Sequence, residues 1–139
     1  MDWIYEDNIF DPDEEFLEPY QGFVYLITEV DTGKKYIGKK FFWKPKTLPV
    51  TKTRKRKVKT RVQSDWKKYY GSNQELKQII KEQGGDNYRR EIIKLCKTKG
   101  DCSYYEMKYQ LEYDVLLRED FYNEFIGGKI HSKHLSKKD

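Results

Sequence analysis

Thirteen lysines and arginines lie between positions 39 and 68, against a single acid, Asp65. They are Lys39, Lys40, Lys44, Lys46, Lys52, Arg54, Lys55, Arg56, Lys57, Lys59, Arg61, Lys67 and Lys68. Cations packed this densely repel one another and destabilise a compact fold, so a polyanionic partner is the economical explanation. Nucleic acid fits best, because lysine and arginine contacts to phosphates release counterions and supply most non-specific affinity. A membrane-surface patch would need an amphipathic helix with an apolar face. The stretch KPKTLPVTKTRKRKVKTR instead has two prolines, several threonines and no helical stripe. Two other groups could carry chemistry. Cys96 and Cys102 are the only cysteines, too few for a disulfide framework or a Cys-rich zinc site, and they read as buried thiols in a reducing compartment. His131 and His134 stand three apart in a basic tail and read as surface residues rather than metal ligands.

These residues belong to a chain of 139, the length of one domain. Its high charge could suggest disorder, but 12 Tyr, 7 Phe and 3 Trp argue for a folded core built largely on rings, since disordered chains are poor in aromatics. The charge is uneven. Residues 1–20 hold eight acids and no lysine or arginine. They read as an acidic arm able to fold back on the basic stretch when that stretch is free of its partner. No apolar run approaches the length of a membrane-spanning helix. The opening MDWIYEDNIFDPDEE has neither a basic region nor an apolar one, so it does not read as a secretory signal. A cytoplasmic protein without membrane contact is expected.

The element order is α+β. Residues 22–29 (GFVYLITE) alternate and are rich in β-formers, which predicts a strand. Asp31-Thr32-Gly33-Lys34 is a turn, and residues 35–40 return as the second strand of a hairpin. The basic, proline-containing stretch at about 43–64 reads as a long inserted loop. Ser72 is expected to open a helix, with Glu75 completing a capping box, and Gly84-Gly85 to close it. Residues 88–96 (YRREIIKLC) predict a third strand. Asp101 or Ser103 starts a second helix to about residue 118, with Tyr104, Met107, Leu111 and Val115 as its apolar stripe. Residues 121–126 form a short apolar piece, and 127–139 a basic tail. The expectation is a small three-stranded antiparallel sheet flanked by helices.

The hairpin carries a resemblance. GFVYLI, ten residues between Tyr25 and Tyr36, then YIG resemble the paired signature of the GIY-YIG nucleases. Phe23-Val24-Tyr25 stands for the first triplet and Tyr36-Ile37-Gly38 for the second. SDWKKYYGSNQEL and CSYYEMKYQLEYDVLLR look like small GIY-YIG proteins of tailed phages, including free-standing Seg-type homing endonucleases. The likeness covers about residues 22–126, making 21–126 the nuclease-like domain. Its implied fold, a three-stranded antiparallel sheet with helices, agrees with the order read above.

The resemblance implies roles residue by residue. Tyr25 and Tyr36 match the two motif tyrosines, whose hydroxyls could converge on one phosphate from adjacent strands. Glu106 matches the metal-binding glutamate, and Asn123 the asparagine beyond that helix. The family's arginine has no clear counterpart: Arg54, Arg56 and Arg61 compete, with Lys39 and Lys67 as substitutes, and Arg61 is favoured as nearest the SDW segment. A further polar family position falls near Tyr70. Such a set suits phosphodiester hydrolysis, which needs an activated water, charge stabilisation on phosphorus and help for the leaving oxygen. One hard cation, Mg²⁺ or Mn²⁺, would be held by Glu106, waters and the phosphate. A tyrosine, Tyr25 or Tyr36, would take the water's proton, and an arginine would clamp the non-bridging oxygens in bidentate fashion. The implied products carry 5′-phosphate and 3′-hydroxyl ends.

The expected function is a metal-dependent endonuclease on double-stranded DNA, of phage homing or DNA-degrading type, acting in the cytoplasm of an infected cell. Lys39, Lys40, Arg54, Arg56, Lys57, Lys59, Lys67 and Lys68 would bind nucleic acid, with no small-molecule cofactor. Little chain remains for a recognition domain, so specificity would come from a homodimer or the inserted loop. The alternatives are a non-catalytic nucleic-acid-binding protein on the same fold, and a basic face that docks an acidic protein.

Overall fold

A computed structural model describes residues 2–53, 55–56, 58–127 and 130–132. Arg54, Lys57, His134 and the rest of 133–139 lie outside the described residues, as does the side chain of His131. The elements in chain order are β1 (Trp3–Tyr5), β2 (Asn8–Ile9), α1 (Glu14–Leu17), β3 (Gly22–Glu29), β4 (Lys35–Phe41), β5 (Trp43–Leu48), β6 (Val58–Gln63), a 3-10 turn (Trp66–Lys68), α2 (Gln74–Gln83), β7 (Tyr88–Cys96), α3 (Lys99–Glu112), β8 (Phe125–Ile126) and β9 (Ile130–His131). Among the described residues no helix is long and apolar enough to cross a membrane.

The chain is α+β, but its main sheet is not the small three-stranded one expected. Five strands run in the order β2-β1-β7-β3-β4. The three antiparallel strands of the sequence reading form one side of it, with β4 at the edge: β3 pairs with β4 from Gly22↔Phe41 to Thr28↔Lys35, and with β7 on its other side. Beyond β7, β1 adds in parallel with Trp3 opposite Arg90, and β2 closes the edge. These extra strands are short and lie among acids, which hid them. Their turn is Glu6-Asp7, both at positive φ (49° and 66°), so a two-residue hairpin turn forms without the glycine that normally announces it. The acidic N-terminal segment therefore enters the folded body, with Trp3 and Leu17 buried.

Both faces of the sheet are covered, which explains why Phe23, Val24, Tyr25 and Ile27 are all buried on β3. One face holds Phe23, Tyr25 and Ile27 with Trp3, Phe42, Trp66 and Leu76. Its rings meet edge-on or tilted, Trp3 with Phe23 at 4.9 Å and Phe42 with Trp66 at 5.0 Å. Such pairs add about 0.5–1.5 kcal/mol each beyond their buried area. The other face holds Val24, Ile37, Cys96, Cys102, Val115 and Leu116, and both thiols are free and buried as expected.

Three further expectations change. The stretch at 43–64 is no loop: β5 and β6 pair from Trp43↔Gln63 to Leu48↔Val58. Thr47, Val58, Thr60 and Val62 supply the β-formers that the interleaved charges masked. Asn73, not Ser72, caps α2, its side chain accepting from the Leu76 amide at 3.0 Å. Finally, α3 stops at Glu112, because Asp114 turns the chain at φ 51°. It faces inward with Cys102, Tyr105, Tyr109 and Gln110, leaving Tyr104, Met107 and Leu111 exposed. Only Val115 of the expected stripe is core, and it lies past the helix.

Candidate active site

Strand β4 is an edge strand, and an edge leaves backbone groups unpaired unless something covers them. Residues 120–123 do so. The Lys35 amide donates to the Asp120 carbonyl, and the Tyr122 amide to the Lys35 carbonyl. Asn123 then takes over from the backbone: its Oδ1 accepts from the Ile37 amide at 3.0 Å, and its Nδ2 donates to the Ile37 carbonyl at 2.7 Å. Gln110 Nε2 from α3 donates to that same carbonyl at 3.0 Å. This fixes Ile37, and with it Tyr36 and Gly38 on either side.

A cleft of about 520 Å³ opens where β4, α3, the start of α2 and residues 124–127 meet. Tyr36, Ser72, Glu106, Gln110 and Glu124 are among its lining. The Tyr36 hydroxyl lies 2.9 Å from Ser72 Oγ, an atom left available because Asn73 does the capping. Burial pushes the Tyr36 phenol up; the Ser72 bond works against that, while the carboxylates of Glu106 and Glu124 push the same way as burial.

Glu106 projects from α3 with its side chain 17% exposed, 3.9 Å from Lys39 Nζ. Burial pushes its carboxyl up, opposed by the Lys39 ammonium and backbone amide. Lys39 also donates to Ser103 Oγ at 2.8 Å, one helical turn before Glu106, so it ties β4 to α3 at the mouth of the cleft. A 3.9 Å pair is loose and leaves carboxylate oxygens for another cation.

Tyr25 lies directly opposite Gly38 across the hairpin. Its ring meets Tyr36 and Tyr69 edge-on at 6.1 and 5.9 Å. It is wholly buried, and its hydroxyl has no hydrogen-bond partner among the described residues. Burial pushes this phenol well up, so it stands protonated. Two glycines flank the hydroxyl: a Cβ at Gly38 would collide with it, and one at Gly71 (φ +97°) would come within 3.4 Å.

Of the residues expected from sequence, Tyr36 and Glu106 line one cleft, Lys39 stands at its mouth beside Glu106, and Tyr25 packs behind Tyr36. Asn123 is near but its side chain is occupied by Ile37. Arg61 is not there: it lies on β6, 4.2 Å from the Trp43 ring, donating to the Glu18 carbonyl at 2.9 Å. Lys40 pairs with Asp65 at 2.7 Å over the Tyr69 ring. Arg56, Lys59, Lys67 and Lys68 are exposed outside the cleft, and Tyr70 stacks on the buried Arg90. The reading missed Ser72, assigned to a cap, and Glu124, although it directly follows Asn123. It also missed Gln110, whose Oε1 is buried without a partner among the described residues.

For a cation, the described residues hold no cluster of three or more His, Cys, Asp or Glu. The oxygen donors at hand are Glu106, with Glu124 and Gln110 lining the same cleft. That sparse, hard set fits an ion of the Mg²⁺ kind, which keeps most of its waters and leans on one or two carboxylates.

The SegE GIY-YIG family model, described as "Putative endonuclease segE, GIY-YIG domain", matches residues 3–126. No curated protein and no solved structure matches the chain.

Proposed function

The chain belongs to the SegE GIY-YIG family of endonuclease domains, and from that premise we propose that it hydrolyses phosphodiester bonds in double-stranded DNA with one divalent cation, Mg²⁺ or Mn²⁺. The observation that carries this reading is the cleft lined by Tyr36, Ser72 and Glu106, with Lys39 at its mouth 3.9 Å from Glu106.

Glu106 would hold the ion, with Glu124 able to bind its waters. Bound there, the cation would supply positive charge against the pentacovalent phosphorus and favour ionisation of groups beside it. Ser72 orients the Tyr36 oxygen, which, once ionised beside the cation, would take the proton of the attacking water as that water bonds to phosphorus and the 3′-oxygen leaves with a proton from solvent. Lys39 faces the charge that develops on the non-bridging oxygens, the part otherwise given to an arginine. At the back of the site the buried Tyr25 hydroxyl, beside Tyr69, makes no hydrogen bond within 3.5 Å among the described residues, and a buried polar group so placed calls for an explanation. We assign its hydroxyl to a partner that arrives from outside the chain. Asn123 acts through Ile37 as a positioning residue. The biological role we favour is phage homing or DNA degradation in the host cytoplasm.

The test is supercoiled-plasmid nicking with Mg²⁺, with EDTA, and with Glu106→Ala in parallel. Cleavage that needs both the metal and Glu106 is expected. Binding without cleavage under several metals would overturn the proposal and make the chain a nucleic-acid-binding protein on a nuclease fold.

A further inference from the structure

The paired strands β5 and β6 stand apart from the main sheet as a two-stranded ribbon. We propose that this ribbon seats in the major groove of B-form DNA, and that a lysine-lined groove at its base carries the phosphate backbone toward the cleft. The inference rests on the nuclease reading for its ligand and adds where and how that ligand is held.

Register decides how the ribbon's charge is arranged. Residues directly opposite each other share a face, so Pro45 with Arg61 and Thr47 with Lys59 lie on one side, and Lys44 with Val62 and Lys46 with Thr60 on the other. Cations therefore occupy both faces. A ribbon lying on an acidic protein needs charge on one face only. One that sinks between two phosphate walls needs it on both, with short side chains between to meet base edges. Thr47 on one face and Thr60 on the other are of that kind, each with a hydroxyl and a methyl and each exposed, so whichever face meets the bases presents one of them. Not one acid occurs between positions 39 and 64, and Asp65 is already paired with Lys40.

Dimensions agree. Six residues per strand span roughly 17–20 Å, and the major groove of B-DNA, about 12 Å wide, admits a two-stranded ribbon. The deep, narrow groove of duplex RNA does not. The base is stiff, as an inserted element must be. Trp43 is buried and donates its indole N–H to the Tyr20 carbonyl at 2.9 Å. Ser64 Oγ donates to the Phe41 carbonyl at 2.6 Å.

At that base a groove of about 300 Å³ is lined by Lys39, Lys40, Lys44, Lys99 and Ser64, with no carboxylate in its lining. Lys39 belongs to both places, since it also faces Glu106. One chain of cations thus runs from the cleft, past Lys99 at the start of α3, to the ribbon.

The experiment uses the full chain in EDTA, so that binding is read apart from cleavage. Fluorescence anisotropy follows a DNA duplex of about three helical turns and an RNA duplex of the same sequence across a salt series. Dimethyl sulfate footprinting reports guanine N7, which lies in the major groove. The variants are Lys44→Ala/Lys46→Ala/Lys59→Ala together and Lys99→Ala alone, all at exposed positions, with circular dichroism confirming the fold. Expected are N7 protection by the wild type, preference for DNA over RNA, and about tenfold or greater weakening in the triple variant. Its log–log salt slope should fall by about 2 to 3, the count for three lost phosphate contacts. Lys99→Ala should weaken binding and leave N7 protection in place. Wild-type binding without N7 protection, or a triple variant that binds like wild type, overturns the ribbon inference and leaves the nuclease reading standing. N7 protection by a protein that cuts nothing does the reverse.

Discussion

The ring of Tyr25 lies against Gly38, and a Cβ at position 38 would stand 2.7 Å from its Cζ. The two residues face each other across the β3–β4 hairpin, so the glycine of one motif exists to admit the tyrosine of the other. Gly38→Ala should destabilise by about 1–3 kcal/mol, the usual cost of overpacking. Tyr25→Phe should be neutral or stabilise by up to about 1 kcal/mol, because it deletes a buried hydroxyl with no partner. Since that hydroxyl is the colliding atom, Tyr25→Phe should also relieve part of the Gly38→Ala penalty in a double-mutant cycle. Tyr25→Phe should still lose about 10–10²-fold in cleavage, the usual worth of one hydrogen bond to a charged group. Full activity in a well-folded Tyr25→Phe would reduce Tyr25 to packing.

Asn123 offers a test of the opposite kind, in which stability leads and activity follows. Its amide satisfies both backbone groups of a fully buried Ile37. Asn123→Ala strands the Ile37 amide, while Gln110 still donates to the carbonyl. A loss of about 1–3 kcal/mol is expected in urea unfolding, with cleavage falling because Tyr36 is no longer held. If Asn123→Ala unfolds like wild type yet is inactive, the asparagine touches substrate and the positioning role is wrong.

Alkaline pH should expose the aromatic core. Tyr122 donates to Glu29 Oε2 at 2.7 Å, and Tyr88 to the same oxygen at 3.3 Å. Burial first, then this shared carboxylate, raises the Tyr122 phenol, and burial raises Tyr88 and Tyr25. Folded phenols thus hold their protons more tightly than unfolded ones, which ionise near about pH 10. The stability they contribute is complete below that pH and declines as pH rises above it. Urea unfolding from pH 8 to 11, followed with tyrosinate absorbance, should show falling stability and a late group of tyrosines that ionise only on unfolding. A flat profile would contradict the burial described for these three.

Sequence reading succeeded where one local pattern governed one element. The β3–β4 hairpin and β7 were legible to within a residue, because runs of β-formers flank the Gly33 turn and another follows the Gly84-Gly85 stop. The ribbon was not, since its lysines contribute charge at the positions where alternation would show. The inner face of α3 was misread because Tyr104, Met107 and Leu111 offer a cleaner apolar spacing than Cys102, Tyr105 and Tyr109, the residues that meet the sheet. Tyr36 and Glu106 came from the family resemblance, whereas Lys39 was only a substitute for an arginine sought at Arg61. Ser72 and Glu124 did not, because neither has meaning until α2 and the 124–127 segment close over β4.

The parallel pairing of β1 with β7 has a consequence for how the molecule assembles. The Trp3 indole donates to a carbonyl 63 residues further on, and Asn123 reaches back 86 residues to Ile37. Both margins of the main sheet are thus closed by segments remote in sequence, and neither closure repays its loop entropy until the central strands stand. The sheet is expected to grow outward from the β3–β4 hairpin, so the strand that bears Tyr36 is present early. The asparagine that holds it in place arrives among the last contacts made.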